Sequence, residues 1–230
     1  MKRFWKEAAA IPVDGGWGIA LDGKPVYTPG RLPLVVPVER LARAIAAEWN
    51  SVDGPIEPSA MPLTGLANAA VERVAPHREA FASSLAKYGE SDLLCYRADR
   101  PAGLVKRQEE SWDPLLAWAR RHYNVDFRTT SGIVHVDQPR ATVDRLAVAI
   151  AAQDPFRLAG LSPLVTIGGS LIAGLAVLED AIAPEAAWDA VTVDERWQQE
   201  QWGADAEAEA ALEARRRDFL AGAGFLALLR

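Results

Sequence analysis

The residues in this chain that could do chemistry are few, and their spacing argues against most of it. The three histidines, His77, His122 and His135, share no i,i+3 or i,i+4 spacing, so no two fall on one helix face as a helical zinc site requires. The single cysteine, Cys95, can build neither a structural zinc centre nor an internal disulfide. Set among apolar residues two positions before Arg97, it reads as packing rather than as a nucleophilic thiolate. Gly168-Gly169-Ser170-Leu171-Ile172 approaches a nucleophile elbow, but isoleucine stands where the last glycine belongs and no histidine follows. Ser170 therefore reads as a small residue in a packed helix. Gly15-Gly16-Trp17-Gly18 does not fit the dinucleotide fingerprint, and no phosphate-loop sequence occurs. Carboxylates are plentiful, with 31 Asp and Glu, yet no spacing selects an acid–base pair from them. These patterns predict no metal, no cofactor and no catalysis.

Composition narrows the partners. With 230 residues and a net charge of −6, the chain can bury a sizeable core and gains nothing from displacing counterions on nucleic acid. The one basic run, Arg215 to Arg217, falls late in an expected helix, where it complements the helix dipole. The opening MKRFWKEAAA lacks the apolar stretch of a signal peptide and is too short for an Arg- and Ser-rich transit segment. Leu161 to Leu178 approaches membrane length but carries Ser162, Pro163, Thr166, Ser170 and several glycines, which predicts one buried helix instead. A lone cysteine suits a reducing compartment. A cytoplasmic protein, monomeric when free, is expected.

The elements that must position any site follow from pattern. Ile11–Val13, Trp17–Leu21 and Pro25–Tyr27 are short apolar runs separated by Asp14-Gly15-Gly16 and Asp22-Gly23, which predicts a β-meander with type I′ turns. Pro37 opens a helix whose Leu41, Ile45 and Trp49 form one stripe. A second helix is expected over Thr64–Tyr88, with Leu66, Ala69, Ala70 and Val74 inward, and a short buried strand over Asp92–Arg97. Leu104–Asn124 reads as an amphipathic helix and Val125–Val136 as extended chain. Helices are then expected at Arg140–Ala152, Asp154–Ile182, Pro184–Trp202 and Asp205–Leu229. The fold class is α+β: a small N-terminal β-meander and helix domain over residues 1–95, then a larger helical domain over 96–230.

One stretch stands apart, DERWQQEQWGADAEAEA from Asp194 to Ala210. On a continuous helix Trp188, Glu195 and Trp202 recur at seven-residue steps and share a face with Val191 and Gln198, while Trp197 points away. Two readings are open. Trp188 and Trp202 are core and Glu195 is half-buried against an arginine such as Arg215, or the stripe is exposed and awaits a partner. Asp205, Glu207 and Glu209 suit the N-terminus of the next helix.

Several blocks together resemble a known family. They are Lys2-Arg3-Phe4-Trp5-Lys6, Leu21-Asp22-Gly23-Lys24-Pro25-Val26 with Thr28-Pro29, Glu48-Trp49, and Met61-Pro62-Leu63-Thr64-Gly65-Leu66-Ala67-Asn68. Next come Asp92-Leu93-Leu94-Cys95-Tyr96-Arg97, then Pro101, Gln108 and Trp112-Asp113-Pro114-Leu115-Leu116-x-Trp118. The last is Asp194-Glu195-x-Trp197-Gln198-x-Glu200-x-Trp202-Gly203. In this order they are similar to the Atp12 family, assembly chaperones of the F1 sector of ATP synthase. Asn50, where the family commonly has aspartate, and Ala69, where threonine is usual, depart from the pattern. The resemblance implies binding of the free F1 α subunit, shielding of its β-facing surface and no chemistry. It favours the exposed reading of the final stretch and implies a client-binding face at Glu195, Gln198, Glu200, Trp202 and Asp205. Trp49, Trp112 and Trp118 are assigned to core packing. The competing expectation is a helical adaptor for a different client.

Overall fold

The computed structural model describes residues 3–132, 134–203 and 205–230. Lys2 of the first family-like block and Ile133 of the expected extended stretch lie outside them. The chain forms two compact units. One comprises the described residues up to Arg78 with Asp154–Gly160 and Gly224–Arg230; the other comprises Glu79–Gln153 and Leu161–Ala223. Small antiparallel sheet and helices in the first, and mainly helices in the second, make the class α+β as expected.

In the first unit, β1 (Ala8–Val13), β2 (Gly16–Leu21) and β3 (Lys24–Pro25) form the predicted antiparallel meander, and β4 (Val35–Val36) also pairs with β2. Asp22 and Gly23 both have positive φ, 49° and 79°, which is the type I′ geometry. At the first turn only Gly15 of the Asp14-Gly15 pair has it, so that turn is of another type. The stripe of α1 (Glu39–Ser51) buries Leu41 and Ile45 with Ala42 and Ala46 against Ile19, Leu34 and Val36, and Phe225 joins the same cluster. Asn50 explains its own departure from the family pattern. Its amide accepts from Ala8 N (2.8 Å) and donates to Ala8 O (2.8 Å), as a neighbouring strand would; a carboxylate could only accept. Glu48 caps α2 (Pro62–Ala69), accepting from Leu63 N, Thr64 N and Thr64 Oγ1 at 2.7–2.8 Å. That brings the Glu-Trp and Met-Pro-Leu-Thr blocks together.

The single helix expected over Thr64–Tyr88 is interrupted. A π turn at Ala70–Val74 and a 3-10 turn at Ala75–His77, which contains Pro76, separate α2 from α3 (Arg78–Ala86). Proline cannot supply the interior N–H that an unbroken α-helix needs.

The second unit departs from expectation around Asp92. Residues Leu93–Cys95 form a 3-10 turn, and only Tyr96–Arg97 (β5) is strand, pairing in parallel with β6 (Thr130–Ser131). The Asp92 carboxylate is fully buried and accepts from Leu94 N and Ile172 N, both at 3.0 Å. It thereby caps the 3-10 turn and a helix some eighty residues away in sequence. That helix exists because the expected Asp154–Ile182 segment breaks in two. Between α6 (Pro155–Gly168) and α7 (Leu171–Leu178), Gly169 takes φ +66° and Ser170 is the N-cap, its Oγ accepting from Ala173 N at 3.0 Å. Ser170 is a cap, not a small residue inside a helix. Asp92 ties its segment to α7, and Gly89 packs against Leu171 and against Leu146 of α5 (Arg140–Ala151), so residues 79–95 belong with the helical unit.

Candidate functional site

Three further helices carry the quoted stretch: α8 (Pro184–Val191), α9 (Val193–Trp202) and α10 (Ala206–Leu228). The expected Pro184–Trp202 helix is broken at Thr192, whose φ −114° and ψ 19° leave the helical region. Thr192 N and Oγ1 both donate to Trp188 O, at 3.1 and 2.7 Å. The seven-residue stripe therefore does not survive as one face. Trp188 is 2% exposed and packs on Phe219. Trp202 is 78% exposed. Trp188 is core, and Trp202 is exposed.

Glu195 lies between them. Its Oε1 accepts from both terminal nitrogens of Arg215, at 3.3 and 3.4 Å. The same guanidinium donates to Ile167 O at 3.3 Å and lies over the Trp188 ring. The run Arg215–Arg217 thus sits in mid-helix, not in the last turn of α10, and its first member is a partner of α9. Arg216 pairs with Glu213 at 3.6 Å.

Glu195, Gln198, Trp202 and Asp205 line one cleft of about 420 Å³, closed on its far side by Ala208, Ala211, Leu212 and Arg215. Asp205 also accepts from Glu207 N at 3.1 Å at the start of α10. A second cleft of about 450 Å³ shares Glu195, Gln198 and Arg215 and is lined further by Leu93, Trp112, Ile167 and Val191. The Arg215–Glu195 pair is common to both. Glu200 is not part of either. It makes a two-point pair with Arg107, at 2.7 and 2.8 Å, that holds its carboxyl below the usual range, and it faces Arg196 and Asp189 instead. Four of the five expected site residues come together, and the fifth belongs to the opposite side of α9.

What fixes α9 was only partly legible. Arg107 lies 4.8 Å from the centre of the Trp197 ring. Trp197 in turn covers Gly103 of α4 (Ala102–Tyr123) so closely that an added Cβ would come within 2.6 Å of the ring. Gln108 accepts from Ala98 N and donates to Asp194 Oδ1, both at 2.7 Å. Trp112 Nε1 donates to Ala190 O at 2.6 Å, and Arg97 packs over Trp112 while pairing with Asp113 at 2.8 Å. The Gln108, Trp112 and Asp113 block is therefore the support for α8 and α9. Gly103 and Arg107 carried no sequence signal of this role.

The burial-shifted groups Cys95 and Asp92 lie outside both clefts. Burial, with the Asp92 carboxylate nearby, pushes the Cys95 thiol up to about 12, far from a thiolate at neutral pH. Burial raises the Asp92 carboxyl to about 6, but both its oxygens accept backbone N–H groups and it lines neither cleft. Among the described residues no group of three His, Cys, Asp or Glu side chains is placed to hold a metal, and no helix is long and apolar enough to cross a membrane.

Comparison with known proteins agrees with this picture. The family model described as ATP12 chaperone protein matches residues 2–120. The mitochondrial protein atp12 of Schizosaccharomyces pombe is 24% identical over 214 residues, covering 88% of this chain and 74% of its own length. The crystal structure of Atp12 from Paracoccus denitrificans superposes with a TM-score of 0.95 at 44% identity, covering 100% of this chain and 98% of that one. An aspartate-to-lysine mutant of the same Paracoccus protein superposes equally well. A protein from Agrobacterium tumefaciens does so at 37% identity, over 100% of this chain and 86% of that one. On a family-model match to half the chain and close agreement with the Paracoccus structure along its full length, this chain belongs to the ATP12 family of chaperone proteins.

Proposed function

We propose that this chain is an assembly chaperone of ATP synthase that binds the free F1 α subunit, covers its β-facing surface until β arrives, and carries out no chemical step. The contact face is the cleft lined by Glu195, Gln198, Trp202 and Asp205, and the setting is the bacterial cytoplasm.

The observation that carries this reading is Trp202. An indole 78% exposed leaves on the order of 150 Å² to be covered, which stabilises a complex by about 3–4 kcal/mol. Aromatic residues of this kind dominate binding energy when they are held beside polar groups on a firm element. Here the ring closes α9, whose opposite side is clamped by the Arg107, Trp197 and Gly103 contact. A partner therefore meets a surface that is already ordered, and little conformational entropy is lost on binding. Half-exposed Glu195 beside it offers a carboxylate whose second oxygen is unused by Arg215.

Co-expression of this chain with F1 α and F1 β separately, followed by size-exclusion chromatography, tests the proposal. A complex with α alone that keeps α soluble supports it. Aggregated α with no co-eluting complex rejects it, and equal capture of α, β and an unrelated unfolded chain points to a helical adaptor without this client.

A further inference from the structure

A second surface of the first unit has the marks of a preformed docking element. Residues Tyr27 to Pro33 form a small loop closed by the Tyr27–Pro33 bridge. It is tied down from inside. Thr28 N donates to Leu32 O and Arg31 N to Thr28 O, both at 2.8 Å, while the buried Thr28 hydroxyl accepts from Leu32 N at 3.1 Å. Glu72, on the π turn at Ala70–Val74, reaches across to the loop: its carboxylate accepts from Gly30 N and from the Thr28 hydroxyl, which holds it below the usual range. A Cβ on Gly30 would lie 2.7 Å from that carboxylate, so a side chain there would make the Glu72 carboxylate shift.

What this clamp holds outward is apolar and basic. Tyr27 is 55% and Leu32 44% exposed. Arg31, exposed between them, is kept at φ +65°, a conformation that is strained for a non-glycine residue and recurs at functional sites. Arg73 stands next to Glu72 on the same π turn and is also exposed. Neither arginine forms an ion pair among the described residues. Arg31 thus sits between two exposed apolar side chains, and Arg73, close enough to act on the Glu72 carboxylate, adds a second cation at the loop's clamp, on a chain of net charge −6.

We propose that the Tyr27–Pro33 loop is a second docking element for the client, taking an acidic segment that carries an apolar residue. The occupant follows from charge complementarity, since an acidic segment is attracted here and repelled by the carboxylates of the Glu195 cleft. The inference rests on the proposed binding of F1 α and adds a second contact element, Tyr27, Leu32 and the two arginines, to Trp202 and Glu195. Because the loop is held by five hydrogen bonds from named groups, its contribution is that of a rigid element with little ordering cost.

The test compares full-length variants for affinity to purified F1 α, with the thermal midpoint of each variant as a fold control. Tyr27→Ser with Leu32→Ser, and Arg31→Glu with Arg73→Glu, are each expected to weaken binding about tenfold or more. Only the charge-reversed pair should lose its deficit as salt is raised, because screening removes the electrostatic part. Arg31→Gly relieves the backbone strain, so it should bind more weakly while melting no lower. Variants that all bind within about twofold of wild type would overturn the second element and leave α binding standing. A wild-type chain that fails to bind α would overturn both.

Discussion

Replacing Glu195 by lysine separates a contact role from a structural one, because the structure sets the fold cost low. The pair with Arg215 uses one carboxylate oxygen at 3.3 and 3.4 Å, with side chains 39% and 43% exposed. A pair this exposed contributes about 0–1 kcal/mol. Lysine adds a second cation near Arg215, but its flexible stem can move the ammonium outward, where the repulsion is on the order of 1 kcal/mol. Arg215 keeps Ile167 O and the Trp188 ring. The summed cost is about 1–2 kcal/mol, a fall in thermal midpoint of roughly 2–8 °C for a chain of this size. A core change such as Phe219→Ala, at a residue 0% exposed, costs about 3–5 kcal/mol. Capture of F1 α should fall by about a hundredfold, since a positive charge replaces a carboxylate in the contact face. Differential scanning fluorimetry and size-exclusion chromatography of both variants with F1 α provide the two numbers. If Glu195→Lys melts as low as Phe219→Ala, or captures α as well as wild type does, the assignment of Glu195 to the contact face is refuted.

Other positions test the scaffold. Asp92→Ala strands the buried N–H groups of Leu94 and Ile172 and should cost about 2–5 kcal/mol in a denaturant titration. The raised Asp92 carboxyl, about 6 against 3.8, makes the folded state the better proton binder between those values. Its contribution to stability is therefore fully present below about pH 4 and is lost as pH rises to 6, and that component should be absent from the stability–pH profile of Asp92→Asn. Gly103→Ala drives a methyl to within 2.6 Å of the Trp197 ring; a loss of about 1–3 kcal/mol, a shift in tryptophan emission and weaker client capture are expected together. Asn50→Asp sets a carboxylate against Ala8 O and should lower stability by about 1–3 kcal/mol, read as a lower thermal midpoint.

Much of the frame was legible because its causes are local. Asp22-Gly23 demands the positive φ angles of a tight hairpin, the Leu41, Ile45 spacing makes one buried stripe, and Asn124 ends α4 in the left-handed conformation. The two missed breaks in the later helices share one physical reason. Helix pattern at Asp154–Ile182 and Pro184–Trp202 runs through Gly169-Ser170 and Thr192, where side chains can accept from or donate to backbone groups and so favour an end as readily as a continuation. Whether such a residue caps or continues depends on what else reaches those groups. At Ser170 the deciding partner is Asp92, far away in sequence, whose carboxylate supplies an acceptor for Ile172 N.

The amino-acid sequence by itself determined the α+β class, the meander and the family. Those follow from turn chemistry, periodicity and residue order, which act over a few positions. Only the tertiary structure decided that Trp188 is core while Trp202 is exposed, that Glu200 faces away to Arg107, and that Glu195 is held by Arg215. A break at Thr192 rotates the later turn out of register with the earlier one, and burial is set by the helices that then pack against each, which no spacing along one segment encodes.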